Sequence, residues 1–537
     1  MQSLGRRGNR PARTDSMLCL IGLLLVACLP IPGHAQTELR IANLGEPATL
    51  DPHHVSGVWE NRIIGDLFLG LTTEGPDGRP VAGAAEEWTI SEDATVYTFH
   101  IRDHLWSDGT PVTAGDFEYA FQRILLPETA AEYASLLYPI KNAEALNTGR
   151  MTDMNQLGVK ALDEQTLEIT LSASTPYFLA QLTHYTAFPV PRHRVEQYGD
   201  DWTKPANIAS NGAYVLGEWL PSTHTVLLKN PKFYAADTVA IDRVVFYPGE
   251  DRAAVQKRFR AGEIDIAMDF ASDQIEWLQK NLPDQTRIAP YLGVYYYPVN
   301  TSKPPFDDVR VRQALSMAIN REAITDKVLK TGEFPAYSLV PPGTNNYGEP
   351  AYVSWRDTPY QTRLAQAREL LAEAGFGPDN PLSFTLSYNT SENHKRIAIA
   401  AASMWKQLGV QVALYNTEVK VHYDKLKQGD FDVARAGWIA DYNDPQNFLY
   451  LLQSSSGPLN YGRYANPDYD DLMTEAASTA DLTRRAELLA EAEALAMADQ
   501  PVIPIYYYVS KNLVSNSVQG WQDTINDIHR SRYLSLK

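Results

Sequence analysis

The chain has 537 residues, 44% of them hydrophobic, with 47 basic against 65 acidic side chains and a net charge of −18. At roughly 150 residues per domain the length allows about three domains with sizeable cores, and the acidity argues against nucleic acid or an anionic membrane as partner. The only two cysteines are Cys19 and Cys28, so the segment after Ala35 has neither disulfides nor thiolate metal ligands.

In chain order, Arg6, Arg7, Arg10 and Arg13 precede an apolar run from Met17 to Leu29, and Pro30, Pro32, Gly33 and Ala35 follow. That order predicts a signal peptide over residues 1–35, cleaved after Gly33-His34-Ala35. Leu25-Val26-Ala27-Cys28 also resembles a lipobox, so a form anchored through Cys28 is the alternative. The Arg6-Arg7 pair lacks the context of a twin-arginine signal. The apolar run is shorter than the ~20 residues that span a bilayer. A leader with four arginines and Asp15 takes a net +3 with it and leaves an exported domain of charge −21.

Thr95 to Ile101 and Thr166 to Leu171 alternate apolar and polar residues, as half-buried strands do. Thr113 with Asp116 predicts a helix start, after which Phe117, Ala120, Phe121, Ile124 and Leu125 share one face up to Pro127. From Arg310 onward helix and strand periods alternate. Leu364, Ala367, Leu371 and Ala374 form a stripe stopped by Gly375, and Leu382, Phe384, Leu386 and Tyr388 alternate. His394 to Leu408 reads as helix capped by Gly409, and Val410, Val412 and Leu414 alternate. These features predict an α/β lobe. No internal repeat or low-complexity linker marks a boundary.

Residues 434–445 read ARAGWIADYNDP. Phe431 to Trp438 suits a single half-buried strand, which the Asn-Asp-Pro turn ends, and Asp441 stands near that end. Two readings stay open. Asp441 orders the turn and Arg435 is a surface arginine, or the two hold the opposite charges of a zwitterion. Of enzyme signatures the chain has no His-Glu-x-x-His, Gly-x-Ser-x-Gly or Gly-x-x-x-x-Gly-Lys, and none of its acids is singled out as a glycosidase pair.

This segment, with residues 106–117 (WSDGTPVTAGDF), 303–321 (KPPFDDVRVRQALSMAINR) and 501–509 (PVIPIYYYV), resembles the oligopeptide-binding proteins that serve ABC importers. That solute-binding family also takes dipeptides, nickel chelates and cello-oligosaccharides. The resemblance runs from about Leu39 to the C-terminus. It implies an α/β, two-lobed Venus-flytrap fold with an extra α+β domain: lobe I from residues 36–68, 193–293 and 509–537, the extra domain II over 69–192, and lobe III over 294–508, with a hinge near Gly293 and Val509. It also implies a periplasmic, monomeric receptor that is not an enzyme, uses no cofactor or metal, and passes short peptides of ~3 to 5 residues to an inner-membrane ABC permease and its ATPase subunits. A dipeptide, murein tripeptide, opine-like compound or sugar is the alternative ligand.

By the same resemblance Asp441 holds the peptide ammonium, and Arg435 or His394 meets the carboxylate according to peptide length. Tyr133, Tyr291, Tyr296, Trp438 and Tyr508 line the pocket, and Gly437, Ile439, Ser56, Val58 and Val419 complete the expected set. The family pattern has glutamate at Ser56, tryptophan at Val419, asparagine at Asp269 and basic residues at Leu426 and Leu329. Those departures imply remodelled side-chain pockets between retained clamps for the termini.

Overall fold

A computed structural model describes residues 36–537. The expected signal peptide and both cysteines lie outside these residues. Among the described residues no helix is long and apolar enough to cross a membrane.

Two 13-residue strands, Thr286–Pro298 and Val502–Val514, organise the molecule. They pair antiparallel and lie second and third from one edge of a nine-stranded sheet. Beyond one end lie Ile266–Met268, Glu38–Asn43, Arg243–Pro248, His224–Lys229 and Tyr214–Leu220, and beyond the other lies Ala436–Ile439, at the edge. Phe334–Pro335 adds to Val502–Val514. The pairing slips where Pro290 faces Val509 and Val294 faces Tyr507, so that three residues oppose one. A bulge of this kind bends the strand and sharpens its twist.

The long strands feed separate cores at their two ends. Leu513 packs with Ala42, Val255, Phe259 and Ala267, beside the core of Leu39, Ile41, Val244 and Ile266. Val294, Tyr295, Ile503 and Ile505 instead pack with residues of 306–497. The first body also contains an antiparallel sheet of Ala85–Ile90, Val96–Ile101, Thr166–Thr170 and Val159–Ala161, in that order. The helix Ala114–Leu125 covers it, opened by a capping box in which the Thr113 N–H donates to Asp116 at 2.8 Å. Its whole predicted apolar face is buried.

The second body contains a parallel sheet ordered Gln411–Thr417, Ser383–Asn389, Val433–Ala434, with the helices Glu392–Lys406 and Val419–Gln428 as crossovers. The Leu364 stripe lies in Tyr360–Glu373, and Gly375 follows it with φ +88°. Gln411–Thr417 is an edge strand, so Leu414 stays 39% exposed despite its alternating pattern.

The single strand expected over Phe431 to Trp438 is two. Val433–Ala434 pairs in parallel with Leu386 and Ser387, and Ala436–Ile439 pairs antiparallel with Gly293 to Tyr296 of the large sheet. Arg435 is the switch between them: its N–H donates to the Ser387 carbonyl at 2.7 Å, and its carbonyl accepts from His422 Nε2 at 2.8 Å. A period of two is the same in either sheet, so the pattern cannot show the change of partner.

Gly293 permits the contact that holds the edge strand. A Cβ there would lie 2.4 Å from Ile439 Cδ1 and 2.9 Å from the Trp438 carbonyl oxygen. Gly293→Ala should therefore push Ala436–Ile439 away and cost about 1–3 kcal/mol, read as a lowered denaturant midpoint at unchanged slope.

Candidate ligand-binding site

The edge strand Ala436–Ile439 offers its outer side for pairing. Ala440 donates its N–H to the Leu292 carbonyl at 2.9 Å. Antiparallel alternation then aims Ala436 and Trp438 inward and leaves the N–H and C=O of Gly437 and Ile439 pointing outward. Gly437 also keeps the strand low, since a Cβ would sit 2.6 Å from the Tyr508 hydroxyl and 3.0 Å from Arg435 Nη2.

One end of this edge carries an acid without a counter-ion. Asp441 is half-buried, and among the described residues no cationic side chain pairs with its carboxylate. Burial pushes its pKa up to about 7 against the opposing effect of a hydrogen bond with Asn447. Asp441 does not organise the turn. Asn447 accepts its N–H at 3.2 Å and the Trp438 indole N–H at 2.8 Å, while Asp444 accepts from the Gln446 N–H at 3.0 Å. Phenols stand around the acid. The Asp441 carboxylate, ahead of burial, drives the Tyr133 phenol pKa far up, and after burial it also raises those of Tyr185 and Tyr450. A carboxylate among aromatic faces is an environment for a cation.

At the other end Arg435 is only 8% exposed, so it is not a surface arginine. It donates to Asn389 Oδ1 at 3.2 Å, the Tyr423 hydroxyl at 3.0 Å and the Tyr508 hydroxyl at 2.9 Å, and its guanidinium lies 4.9 Å from the Tyr295 ring centroid. All these partners are neutral, and Nε is buried without any. His394 stands nearby, in the first turn of Glu392–Lys406 and 5.6 Å from the Tyr295 ring, with Nδ1 also buried and unpartnered. Burial, then the charges of Arg435 and His422, push its pKa down to about 3. The imidazole is neutral in this state. An uncompensated cation and an unpartnered ring nitrogen thus share the end opposite Asp441.

The remaining expected residues separate. Trp438 is half-buried against Tyr450, with ring centroids 5.9 Å apart. Tyr291 lies in the bulge, and Tyr508 touches Arg435. Tyr296 is 3% exposed and packs in the core behind the strand, so it supports the site without opening onto it. Ser56, Val58 and Val419 are exposed, the last two as first residues of Val58–Leu67 and Val419–Gln428. The expectation of remodelled pockets fails at two positions: Leu426 and Leu329 are core residues, 0% and 4% exposed. Asp269 pairs with Arg252 at 2.7 Å. Asn447, Tyr185, Tyr450, Tyr423 and Asn389 complete the site and carry no sequence signal. Among the described residues no cluster of His, Cys, Asp and Glu could hold a metal.

Residues 79–460 match the family model of the bacterial extracellular solute-binding proteins, family 5. The periplasmic oligopeptide-binding protein of Salmonella typhimurium is 44% identical over 513 residues, covering 94% of this chain and 93% of that protein. The periplasmic murein peptide-binding protein of Escherichia coli is 42% identical over 480 residues, covering 89% and 88%. The structure of the Escherichia coli murein tripeptide binding protein superposes with a TM-score of 0.83 at 40% identity, over 93% of this chain and 98% of that one. The Haemophilus influenzae oligopeptide-binding protein in complex with RPPGFSPFR does so with 0.82 at 36%, over 93% and 99%. With its α/β fold in two lobes, the chain belongs to family 5 of the bacterial extracellular solute-binding proteins.

Proposed function

We propose that this protein is an extracytoplasmic receptor that closes on short oligopeptides between its two lobes and delivers them to an ABC permease for import. Binding, not catalysis, is its role, and it works as a periplasmic monomer. Residues 36–68, 193–293 and 509–537 form one lobe, which carries the extra domain 69–192, and residues 294–508 form the other. The slipped pairing around Gly293 and Val509 is the hinge.

The observation that carries this reading is the unpaired Asp441 carboxylate at one end of a free strand edge whose other end holds Arg435 and His394. Six extended residue steps separate Asp441 from Arg435 by at most about 20 Å. The reach of the arginine shortens this gap to that of three to five extended residues, about 10 to 17 Å. A peptide lying antiparallel to Ala436–Ile439 meets the outward groups of Gly437 and Ile439 with its backbone, Asp441 with its ammonium, and Arg435 or His394 with its carboxylate. All these groups are common to every peptide of that length. A murein tripeptide is a zwitterion of the same kind and meets the same two ends.

Calorimetry on the exported domain tests this. Free tri-alanine should bind, N-acetylated tri-alanine should bind about 2–5 kcal/mol more weakly, and Asp441→Asn should lose a similar amount, because in each case one charge is buried unpaired. Equal affinities across these three would overturn the reading. A receptor tuned to murein tripeptide would keep the dependence on Asp441 and bind tri-alanine poorly.

The pH dependence has a definite sign. Asp441 must be ionised to hold an ammonium, so affinity falls below about pH 7, by up to about tenfold per unit. It falls again above about pH 8, where the peptide amine loses its proton. Asp441→Asn should remove the acid limb and keep the alkaline one. Because the folded pKa of Asp441 lies above its unfolded value, stability from the protonated form is present at low pH and is lost as pH rises through about 7. The same substitution should therefore raise the thermal midpoint of the ligand-free protein at pH 8.

A further inference from the structure

Away from the crossing strands, and beside the phenols of Tyr133 and Tyr185 around Asp441, an aromatic stack joins the two bodies. Tyr177 belongs to the body containing the four-stranded sheet. It precedes the short helix Phe178–Gln181, whose Phe178 packs edge-on against Tyr97 at 5.1 Å and whose Gln181 donates to the Leu136 carbonyl at 3.2 Å. Tyr442 belongs to the other body and follows Asp441 directly. The two rings are parallel within 5°, with centroids 4.8 Å apart. Among the described residues no other ring stack joins the two cores.

Behind this stack lies a buried ion pair. Arg485 donates twice to Asp444, at 2.9 and 2.7 Å, with side-chain exposures of 2% and 0%. Its guanidinium also lies 5.2 Å from the Tyr177 ring centroid. The ring of one body is thus held between a tyrosine and an arginine of the other. Parallel rings at this spacing attract beyond the area they bury, and a guanidinium over an aromatic face adds to that. The pair is also placed to act on ligand. Asp441 lies between Trp438, fixed through Asn447, and Tyr442, whose ring is covered by Tyr177. Within its own body Tyr442 donates its hydroxyl to Gln446 Oε1 at 2.5 Å and its carbonyl accepts the Asp444 N–H at 3.0 Å, and opening the lobes removes a further contact on it, the Tyr177 ring.

We propose that Tyr177 is a positioning residue that clasps the extra domain to the opposite lobe through Tyr442 and Arg485, holding Asp441 against the ligand ammonium and setting how long a peptide is retained. This rests on the peptide-receptor reading above. It assigns the extra domain a role in retention rather than in encounter, since the clasp forms only when the lobes have met.

Stopped-flow binding of tri-alanine to the exported domain, with thermal unfolding of each variant alongside, tests the proposal. Tyr177→Leu keeps apolar volume and removes the stack. It should speed dissociation about tenfold while changing association less than about threefold, as expected when contacts form after encounter. Tyr177→Phe keeps the ring and should restore slow dissociation. Should Tyr177→Leu lower the midpoint of unfolding by more than a few degrees, Tyr442→Leu removes the same stack from the other body and is expected to speed dissociation equally. Dissociation within twofold of wild type in both leucine variants would overturn the clasp, and so would a phenylalanine variant as fast as the leucine one. A wild-type protein that binds no tri-alanine would overturn the peptide reading and the clasp with it, and is recognised because the unmutated receptor itself fails.

Discussion

A half-buried carboxylate with no positive partner is an expensive arrangement in a folded protein, because removal from water disfavours its charged form. Asp441 is such a group, and its raised pKa is the trace of that cost. Several other buried acids have an arginine or a set of hydrogen-bond donors. Asp51 is held by Arg123, Asp444 by Arg485 and Glu74 by Arg530, while Glu493 accepts from Tyr347 and from the N–H groups of Val340 and Ala351. Glu60 and Asp66 also lie buried with no ion pair among the described residues and with pKa raised by burial, so what sets Asp441 apart is its place at the end of a free strand edge, and perturbed acids in such clefts concentrate where ligands bind. The destabilisation ends when a ligand cation arrives, so the free energy that folding does not recover becomes available to binding. Arg435 complements it at the other end: a guanidinium satisfied only by neutral hydroxyl and amide oxygens awaits an anion.

A free strand edge is also a hazard, since any extended chain can pair with it. Here the exposed edge is confined to Ala436–Ile439, four residues, with only Gly437 and Ile439 aimed outward. A buried arginine marks one limit, where the chain leaves for the parallel sheet, and a carboxylate with an ordered turn marks the other. A passing strand interior offers no ammonium and no carboxylate to these ends. In the proposed receptor such an edge accepts backbone in general and, through its flanking charges, selects chain termini.

Much of this was legible in the residues and some of it could not be. The Thr113 and Asp116 box, the Leu364 stripe and the strand of Ser383–Asn389 announce themselves because local chemistry and periodicity fix them. The division of 431–438 at Arg435 could not be read, since it depends on which distant strand each half meets. The same limit explains Leu426 and Leu329: an apolar residue at a position the family pattern makes basic reads as a changed pocket until burial shows it in the core. Tyr296 and Tyr508 both lie in tyrosine runs with identical propensities, yet the bulge between Pro290 and Val294 and the alternation of faces put one behind the sheet and the other against Arg435. Asn447, which fixes both Trp438 and the Asp441 backbone, lies in a polar stretch with nothing to distinguish it.

The termini clamp and the inter-lobe stack are linked through adjacent residues. Asp441 and Tyr442 share a peptide unit, so movement of the Tyr442 ring on lobe opening is transmitted to the carboxylate with no intervening side chain. Two-lobed binders need ligand affinity to differ between open and closed states, because a ligand bound equally by both shifts nothing. If the proposed clasp holds, an acid placed best when Tyr177 sits on Tyr442 supplies that difference. On the proposed reading the isolated charge then has two functions: it recognises the ammonium, and through the clasp it makes the closed state the one that peptides favour.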